Sequence, residues 1–579
     1  MYGKMGLFLL GLAVCFLSMA CQGPSRATRQ LVHQDRSDQK NDEEREERDL
    51  SILLERDVAV LAPLERGLNL LFWQAAAEGL DDWQRLAEQE MQLRRVFLDR
   101  DRFEQLSAWK NQGRIQNRDL RRQLEMAWLA YRENQLPEPL LRDLVRRHWA
   151  VAQVYHGHQA KLNGQVVSEA ELYDLLVHSQ DNKLRRKAYE AAMARGLVVA
   201  GPLRDLARLR NKAARQLGFD NYYHLQLANL EMDLPSLNRW LDILQKGTQA
   251  AWTQEKAHID RALKERLDLG NRPLRPWHYE DPFFQQAPRL GVENPDRLLE
   301  GLDWASSSFR FFQHLGFDLK PALSQKLIES GEASAFEAFF LPVDREGDFR
   351  LLARPGQGEQ GLSTLLHEFG HGAYALGIPS GLPWWLRQVA HPIVGEAVAI
   401  LFSRLSLDAE WLLRWAQVSP SLLEQARSWL PNLRRRNDLV FLRWALVVVR
   451  FEQELYRDPD QDLNACWRQL RQEIQGVEEE PGRDAPDWAA VLHLVSTPVH
   501  YQNYILGEML ACQLEGRLRA LSADSPGPWF QNPKSGHWLN EAVFSAGASL
   551  GWRALLQQAL GHGLDEKNWL RDLAYPAIR

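Results

Sequence analysis

The amino-acid sequence predicts a mainly α-helical fold. Long amphipathic segments rich in Leu, Ala, Arg, Glu and Trp follow one another, and alternating apolar and polar runs are few. Residues 202–218 show the pattern: Pro202 stands at a first helical position, apolar residues recur every three or four positions, and Gly218 ends the segment. Similar helices are predicted within residues 138–244 and 421–457. No repeat of roughly 20 to 50 residues is visible, which disfavours a solenoid.

Length and composition exclude several classes of protein. The chain has 579 residues, of which 45% are hydrophobic and 25% charged, which excludes a disordered chain, a collagen-like rod and a polytopic membrane protein. Seventy basic and 76 acidic side chains give a net charge of −6, so no nucleic-acid partner is expected. Four cysteines are too few for a disulfide scaffold, and only Cys466 and Cys512 lie in the body of the chain.

The N-terminal segment predicts export from the cytoplasm. Lys4 precedes an uncharged apolar run at residues 5–17, which is too short to span a bilayer of about 30 Å comfortably, and the small residues before Cys21 suit a signal peptidase. The position of Cys21 also resembles a bacterial lipoprotein site. There are two alternatives. The protein is simply secreted and Cys21 is a spare thiol, or the leader stays uncleaved as a single anchor. We expect a periplasmic or cell-surface protein, either free or anchored to a membrane through lipid on Cys21.

One segment departs from the helical pattern. Within residues 334–352, the β-prone runs 336–341 and 348–352 flank the turn sequence Asp-Arg-Glu-Gly, which predicts a β-hairpin. A small sheet in a helical protein is often only a packing element. This one directly precedes the most informative segment of the chain.

That segment, LSTLLHEFGHGAYALG at residues 362–377, predicts a helix that carries His367, Glu368 and His371. Residues four apart share one helix face, so both imidazoles can bind one metal ion while Glu368 faces the vacant coordination position. Two imidazoles, a third ligand and an open position are typical of catalytic zinc. The alternative is a solvated helix face. The surrounding Leu, Phe, Ala and Gly disfavour it, because an unpaired buried Glu368 would be costly.

The third ligand is sought in the next segment, QVAHPIVGEAVAILFSRL, which offers His391 and Glu396. Glu396 is favoured, because the helix that Pro392 opens is apolar nearly all round and a carboxylate in it needs a partner. The alternative reading of Glu396 is a first-turn glutamate favoured by the helix dipole. His391 is interpreted as a cap or a pocket wall. We therefore predict one zinc ion held by His367, His371 and Glu396.

The HEFGH sequence at 367–371, followed by Glu396, resembles the zinc peptidases of the thimet oligopeptidase and oligoendopeptidase family and of the related angiotensin-converting-enzyme family. Residues 336–352 are similar to their substrate-lining hairpin, and residues 209–222 to their upstream helical region. The resemblance spans residues from about 170 to 520. It implies two helical lobes around a deep channel that admits peptides and excludes folded proteins.

The segment HLVSTPVHYQNYILGEMLAC, residues 493–512, contains four further candidates. Amide hydrolysis needs a donor to the developing oxyanion, which a phenol or an imidazolium in a dry cleft supplies. The resemblance implies that Tyr504 is this catalytic donor and that Tyr501 binds substrate. It also implies that His493 is a catalytic, substrate-binding histidine. His500 is a further candidate for substrate binding. The alternative for the two tyrosines is structural, because a tyrosine on an amphipathic helix more often lies in the core or at its rim.

Three departures from the angiotensin-converting group limit what the resemblance implies. That group has a basic residue for the substrate's terminal carboxylate where this chain has Val491, and a chloride-binding arginine where it has Asn503. The acid that follows the third ligand in that group is replaced by Ile400. These differences argue against chloride activation and favour an oligoendopeptidase over a dipeptidyl carboxypeptidase.

We therefore expect a zinc-dependent peptidase that hydrolyses short unfolded peptides with a metal-activated water, with Glu368 as the base and Tyr504 as the oxyanion donor. The alternatives are a peptidyl-dipeptidase of the angiotensin-converting type, a hydrolase that acts on another bond, and a non-catalytic peptide-binding envelope lipoprotein. The predicted organisation is a signal peptide at 1–20, a lipidated or free N-terminus and charged spacer at 21–50, and one two-lobed domain at 51–579.

Overall fold

The computed structural model describes residues 26–78, 82–291, 293–323, 327–329, 338–353 and 358–574. Helices account for 71% of the structure and strands for 3%, so the predicted mainly helical class is confirmed. The predicted signal peptide, Cys21 and the first residues of the predicted hairpin lie outside the described residues. None of the described helices has the length and apolar character needed to cross a bilayer.

The α-helices, in chain order, are α1 (Arg26–Glu78), α2 (Trp83–Val96), α3 (Arg100–Gln112), α4 (Arg118–Glu133), α5 (Glu138–His156), α6 (Glu169–His178), α7 (Asn182–Met193), α8 (Arg195–Gln216), α9 (Tyr222–Asn229), α10 (Leu234–Gly247), α11 (Gln249–Arg266), α12 (Pro295–Leu299), α13 (Trp304–His314), α14 (Lys320–Leu323), α15 (Gly358–Gly377), α16 (Pro392–Ser403), α17 (Ala409–Trp411), α18 (Pro420–Ala426), α19 (Leu430–Arg457), α20 (Leu463–Leu470), α21 (Leu492–Ser496), α22 (Gln502–Leu521), α23 (Pro533–Leu539), α24 (Trp552–Leu560) and α25 (Lys567–Ala574). The strands are β1 (Lys161–Leu162), β2 (Gln165–Val166), β3 (Leu327–Glu329), β4 (Ala338–Pro342) and β5 (Phe349–Ala353).

The predicted hairpin is part of a three-stranded sheet with the order β3-β5-β4. β4 pairs antiparallel with β5, with Phe340 opposite Leu351, and β3 adds to β5 in parallel. Neither β3 nor the small antiparallel pair of β1 and β2 was predicted. Strands of two or three residues are too short to leave a period in the sequence, and tertiary contacts determine them.

The prediction that Pro202 opens a helix is wrong, because α8 begins at Arg195 and Pro202 lies inside it. Val199 and Leu203, on either side of the proline, are completely buried. Burial of this apolar face stabilises the helix by more than the loss of one backbone hydrogen bond destabilises it.

The charged stretch at residues 34–49 is part of α1. The carboxylate of Glu47 accepts hydrogen bonds from the backbone N–H groups of Gln116 (2.7 Å) and Asn117 (2.8 Å), at the start of α4. Leu50 follows and is completely buried. Glu47 therefore links the end of the charged stretch to the start of α4.

α16 lies at the centre of the region that carries the predicted site, packed between α15 and α22. Every residue of α16 from Ile393 to Phe402 is buried. One continuous cluster of buried hydrophobic residues extends from Val151 to Leu573 and includes this region. Cys466 and Cys512 are both free, so the fold depends on this core without a disulfide between them.

Candidate metal centre

The three predicted zinc ligands lie on two neighbouring helices. α15 carries His367 and His371, one turn apart, and α16 carries Glu396. One ligand atom from each residue lies within 4.8 Å of the others. The two imidazole rings are nearly perpendicular, with their centroids 4.9 Å apart. The three side chains therefore face a common point at which a single ion can contact all of them.

Two glycines allow the neighbouring helices to approach α16 closely. A Cβ atom at Gly370 would lie 2.8 Å from Cα of Ala399, and one at Gly507 would lie 2.9 Å from Cβ of Glu396. Carbon atoms do not pack at such distances, so a side chain at either position would push the helices apart. The glycines therefore keep Glu396 within reach of the two histidines.

Glu396 has the surroundings of a metal ligand. The residue is 8% exposed, and its Oε2 atom has no hydrogen-bond partner among the described residues. This atom lies 3.5 Å from Nε2 of His367 and 4.0 Å from Nε2 of His371. A buried carboxylate oxygen without a partner is costly unless a cation satisfies it. Because two imidazoles and a carboxylate are a donor set that zinc accepts, the residues present fit this metal.

The surroundings of the two side chains favour a charged Glu396 and a neutral His371. Burial raises the pKa of Glu396, but its interactions with His367 and His500 outweigh burial and hold it below the usual range. Burial lowers the pKa of His371 to about 4, which leaves the neutral imidazole that metals bind. Burial also lowers the pKa of His367, but the carboxylates of Glu396 and Glu368 raise it by more, so the pKa of His367 lies above its usual value. A metal ion at His367 would therefore displace a proton.

Glu368 lies between the metal centre and the sheet. The residue is 8% exposed, and the backbone N–H of Phe340 in β4 donates a hydrogen bond to its carboxylate. Burial and the charge of Glu396 raise the pKa of Glu368 to about 7, against the opposite effect of His367. A carboxylate with a pKa near neutrality can both accept and return a proton. This position suits a general base.

Tyr504 and His493 form a hydrogen-bonding pair. The phenol oxygen of Tyr504 lies 3.2 Å from Nε2 of His493. Burial, and then the charge of Glu396, raise the pKa of Tyr504 well above its usual value, so the phenol stays protonated. Burial lowers the pKa of His493 to about 4, so its imidazole is neutral. The pair supplies an O–H donor whose orientation the histidine can fix.

The other two candidates of this segment have different partners. Tyr501 is 5% exposed, and its hydroxyl accepts a hydrogen bond of 2.6 Å from Nε1 of Trp444. Its ring contacts that of Tyr504, with centroids 5.2 Å apart. His500 places Nε2 3.4 Å from Oε1 of Glu396. Tyr501 therefore packs against Tyr504, and His500 lies beside a predicted metal ligand.

His391, the alternative third ligand, is the N-cap of α16. Its Nδ1 atom accepts a hydrogen bond of 3.0 Å from the N–H of Ile393, and its Nε2 atom lies 2.8 Å from the carbonyl oxygen of Leu230. Both ring nitrogens are therefore occupied. The interpretation of His391 as a cap agrees with these contacts.

Sequence reasoning missed three contributors to the site. The N–H of Phe340 is a backbone group, and no side-chain pattern shows which N–H of a strand faces a helix. Gly370 and Gly507 interrupt otherwise good helical segments, and such glycines are an available signal for close helix packing.

An HExxH helix that shares one point with a glutamate on a following helix is the arrangement of zinc peptidases whose third ligand is glutamate. The protein is a zinc metallopeptidase, a hydrolase that acts on peptide bonds. This finding disfavours the alternative of a non-catalytic peptide-binding envelope lipoprotein.

Within this class, residues 330–573 match the family model Peptidase_M2, which is described as angiotensin-converting enzyme. The match contains the HExxH helix, Glu396 and Tyr504, and it covers less than half of the chain. No curated protein matched the chain. The closer resemblance to the thimet oligopeptidase and oligoendopeptidase family stays a prediction.

Proposed function

We propose that this peptidase cleaves internal bonds of short, unfolded peptides. The observation that carries the proposal is the position of Glu368, which is adjacent to the candidate ligand His367 and hydrogen-bonded to Phe340 of β4. β4 is an edge strand of the sheet that the described residues form. An extended peptide can pair with such an edge and pass beside the base. Main-chain pairing is independent of sequence, so broad specificity is expected.

In this proposal, the metal ion and the side chains of the site perform different parts of the reaction. Zinc held by His367, His371 and Glu396 would polarise the attacking water and the peptide carbonyl. Glu368 accepts the proton of this water and later delivers it to the leaving amine. A buried carboxylate whose pKa lies near 7 can perform both transfers without a second base.

Tyr504 stabilises the oxyanion in this proposal. A Tyr504→Phe variant should lower kcat about 100-fold, because the phenol donor acts on charge that develops only in the transition state. KM should change little. Steady-state kinetics on an internally quenched peptide measure both constants.

Tyr501→Phe is the matched control for this variant. The Tyr501 hydroxyl is already engaged by Trp444, so removing it should cost much less turnover than removing that of Tyr504. An unchanged rate in Tyr504→Phe would move the role of oxyanion donor to His493 or His500.

The family match favours a second candidate, a peptidyl-dipeptidase of the angiotensin-converting type. Such an enzyme must bind the terminal carboxylate of its substrate. Val491 occupies the position at which that group has a basic residue, and Val491 is buried. Internal cleavage therefore remains the preferred proposal.

A mixed library of short peptides separates the two candidates by product length. Internal cleavage should give fragments of varied length, whereas a peptidyl-dipeptidase should release dipeptides from the C-terminal end. A zinc chelator should abolish both patterns, and added zinc should restore activity. Dipeptides as the sole products would overturn the proposal of internal cleavage.

We also propose that the enzyme acts outside the cytoplasm. This proposal rests on the apolar leader at residues 1–20 and on Cys21 directly after it. Cell fractionation tests it, and recovery of the enzyme from the cytoplasm alone would contradict it.

A further inference from the structure

Val499 has a backbone conformation that its side chain disfavours. Its φ angle is +58°, in the left-handed region, and the residue is almost completely buried. A β-branched residue seldom adopts this conformation, because its Cβ atom approaches the backbone too closely. The surrounding structure must therefore hold Val499 in place. The next residue in the chain is His500.

Two buried side chains bind the backbone of Val499. Its N–H donates a hydrogen bond of 2.8 Å to Oε1 of Glu452, on α19. Its carbonyl oxygen accepts a hydrogen bond of 2.6 Å from Nε2 of Gln502, the first residue of α22. Glu452 is 2% exposed and Gln502 is completely buried. The carboxylate of Glu452 comes from a different helix, so this hydrogen bond links the turn to α19.

The turn places His500 against the metal centre. Nε2 of His500 lies 3.4 Å from Oε1 of Glu396, while the other oxygen of that carboxylate faces the two histidines of α15. Nδ1 of His500 lies 3.3 Å from Nδ2 of Asn503. An amide N–H donated to Nδ1 leaves the proton on Nε2, directed at Glu396. In this tautomer, His500 fixes the orientation of the carboxylate.

We propose that Glu452 is a positioning residue for the metal centre, which acts by holding the Val499 turn so that His500 orients Glu396. The proposal rests on the proposed role of Glu396 as a zinc ligand. Partners of this kind set the direction of a ligand's lone pairs without touching the metal. Glu452 would thus influence zinc affinity through three residues, although it makes no contact with the site itself.

Zinc affinity, measured by competition with a chromogenic chelator, tests the proposal independently of turnover. Glu452→Ala should weaken zinc binding about 10-fold or more, as loss of an outer partner of a ligand does. Glu452→Gln should bind zinc nearly as tightly as the wild type, because the amide oxygen still accepts the N–H of Val499. Adding Val499→Gly to Glu452→Ala should restore part of the affinity, since glycine adopts positive φ without strain.

The matched control is Glu454→Ala. Glu454 lies on the same helix, and its carboxylate is bound by Arg457 at the protein surface, so zinc affinity should not change. Wild-type affinity in a folded Glu452→Ala, or equal weakening in Glu452→Gln, would overturn the proposal.

If Glu452→Ala does not fold, as judged by circular dichroism, His500→Ala provides the decisive measurement. Its side chain is 28% exposed, so the substitution should be tolerated, and zinc affinity should fall about 10- to 100-fold. Unchanged affinity in His500→Ala would overturn the inference. A wild-type enzyme that binds no zinc would instead refute the metal site on which the proposed function depends.

Discussion

A Glu368→Gln variant is expected to lose roughly 100- to 10,000-fold in kcat while it retains zinc. Glutamine keeps the size of glutamate, and its carbonyl oxygen can still accept the hydrogen bond from Phe340. It cannot take up a proton at neutral pH. His367 and His371 are unchanged, so metal content should equal that of the wild type. Turnover of a quenched peptide and metal analysis of the same preparation measure the two quantities.

Glu359→Gln is a suitable control for this experiment. Glu359 lies in the first turn of the same helix, α15, and accepts a hydrogen bond of 2.6 Å from Ser406. The same chemical change at this position should leave turnover close to that of the wild type. Full activity in Glu368→Gln would rule out the assignment of the base. Loss of zinc in that variant would mean that Glu368 contributes to metal binding, so that the loss of turnover would no longer report on proton transfer.

The sequence allows much of the metal centre to be predicted, because the relevant information is local. The helical period places His367 and His371 on one face from their spacing alone. Glu396 is conspicuous because it is a carboxylate in an apolar helix, and burial of an unpaired charge is costly. These arguments need no knowledge of how distant segments meet.

The distal part of the site could not be derived in this way. Nothing in the spacing of His493 and Tyr504 shows that they meet the metal helix, and their predicted roles came from a family resemblance. The left-handed conformation of Val499 leaves no trace in the sequence, because valine is a residue that disfavours it. The hydrogen bond that the N–H of Val499 donates to Glu452 depends on α19 meeting a turn far along the chain, which only the tertiary structure determines.

The same distinction explains why Pro202 does not open a helix. Pro202 was interpreted by its local preference for a helix start, whereas the burial of Val199 and Leu203 determines where α8 begins. The local preference of a residue for a helix start does not decide the boundary where burial against the rest of the chain favours a longer helix.

Glu396→Ala is expected to weaken zinc binding by more than the 10- to 100-fold that loss of an outer partner costs, and so to abolish activity at ordinary zinc concentrations. The substitution removes the carboxylate and leaves two imidazoles, which do not complete a site of three protein ligands. Alanine retains the Cβ atom that packs against Gly507. Close contact between α16 and α22 should therefore survive, and a loss of zinc would report on coordination rather than on folding.

His391→Ala separates the two candidates for the third ligand. The side chain of His391 caps α16 and binds the carbonyl of Leu230, so its loss should destabilise the fold by about 1 kcal/mol. Zinc affinity should remain near that of the wild type, because both ring nitrogens of His391 already have other hydrogen-bond partners. Chelator competition and thermal unfolding of both variants measure these effects. If His391→Ala lost zinc and Glu396→Ala retained it, Glu396 could not be the third ligand, and the orphaned Oε2 atom would need another cation.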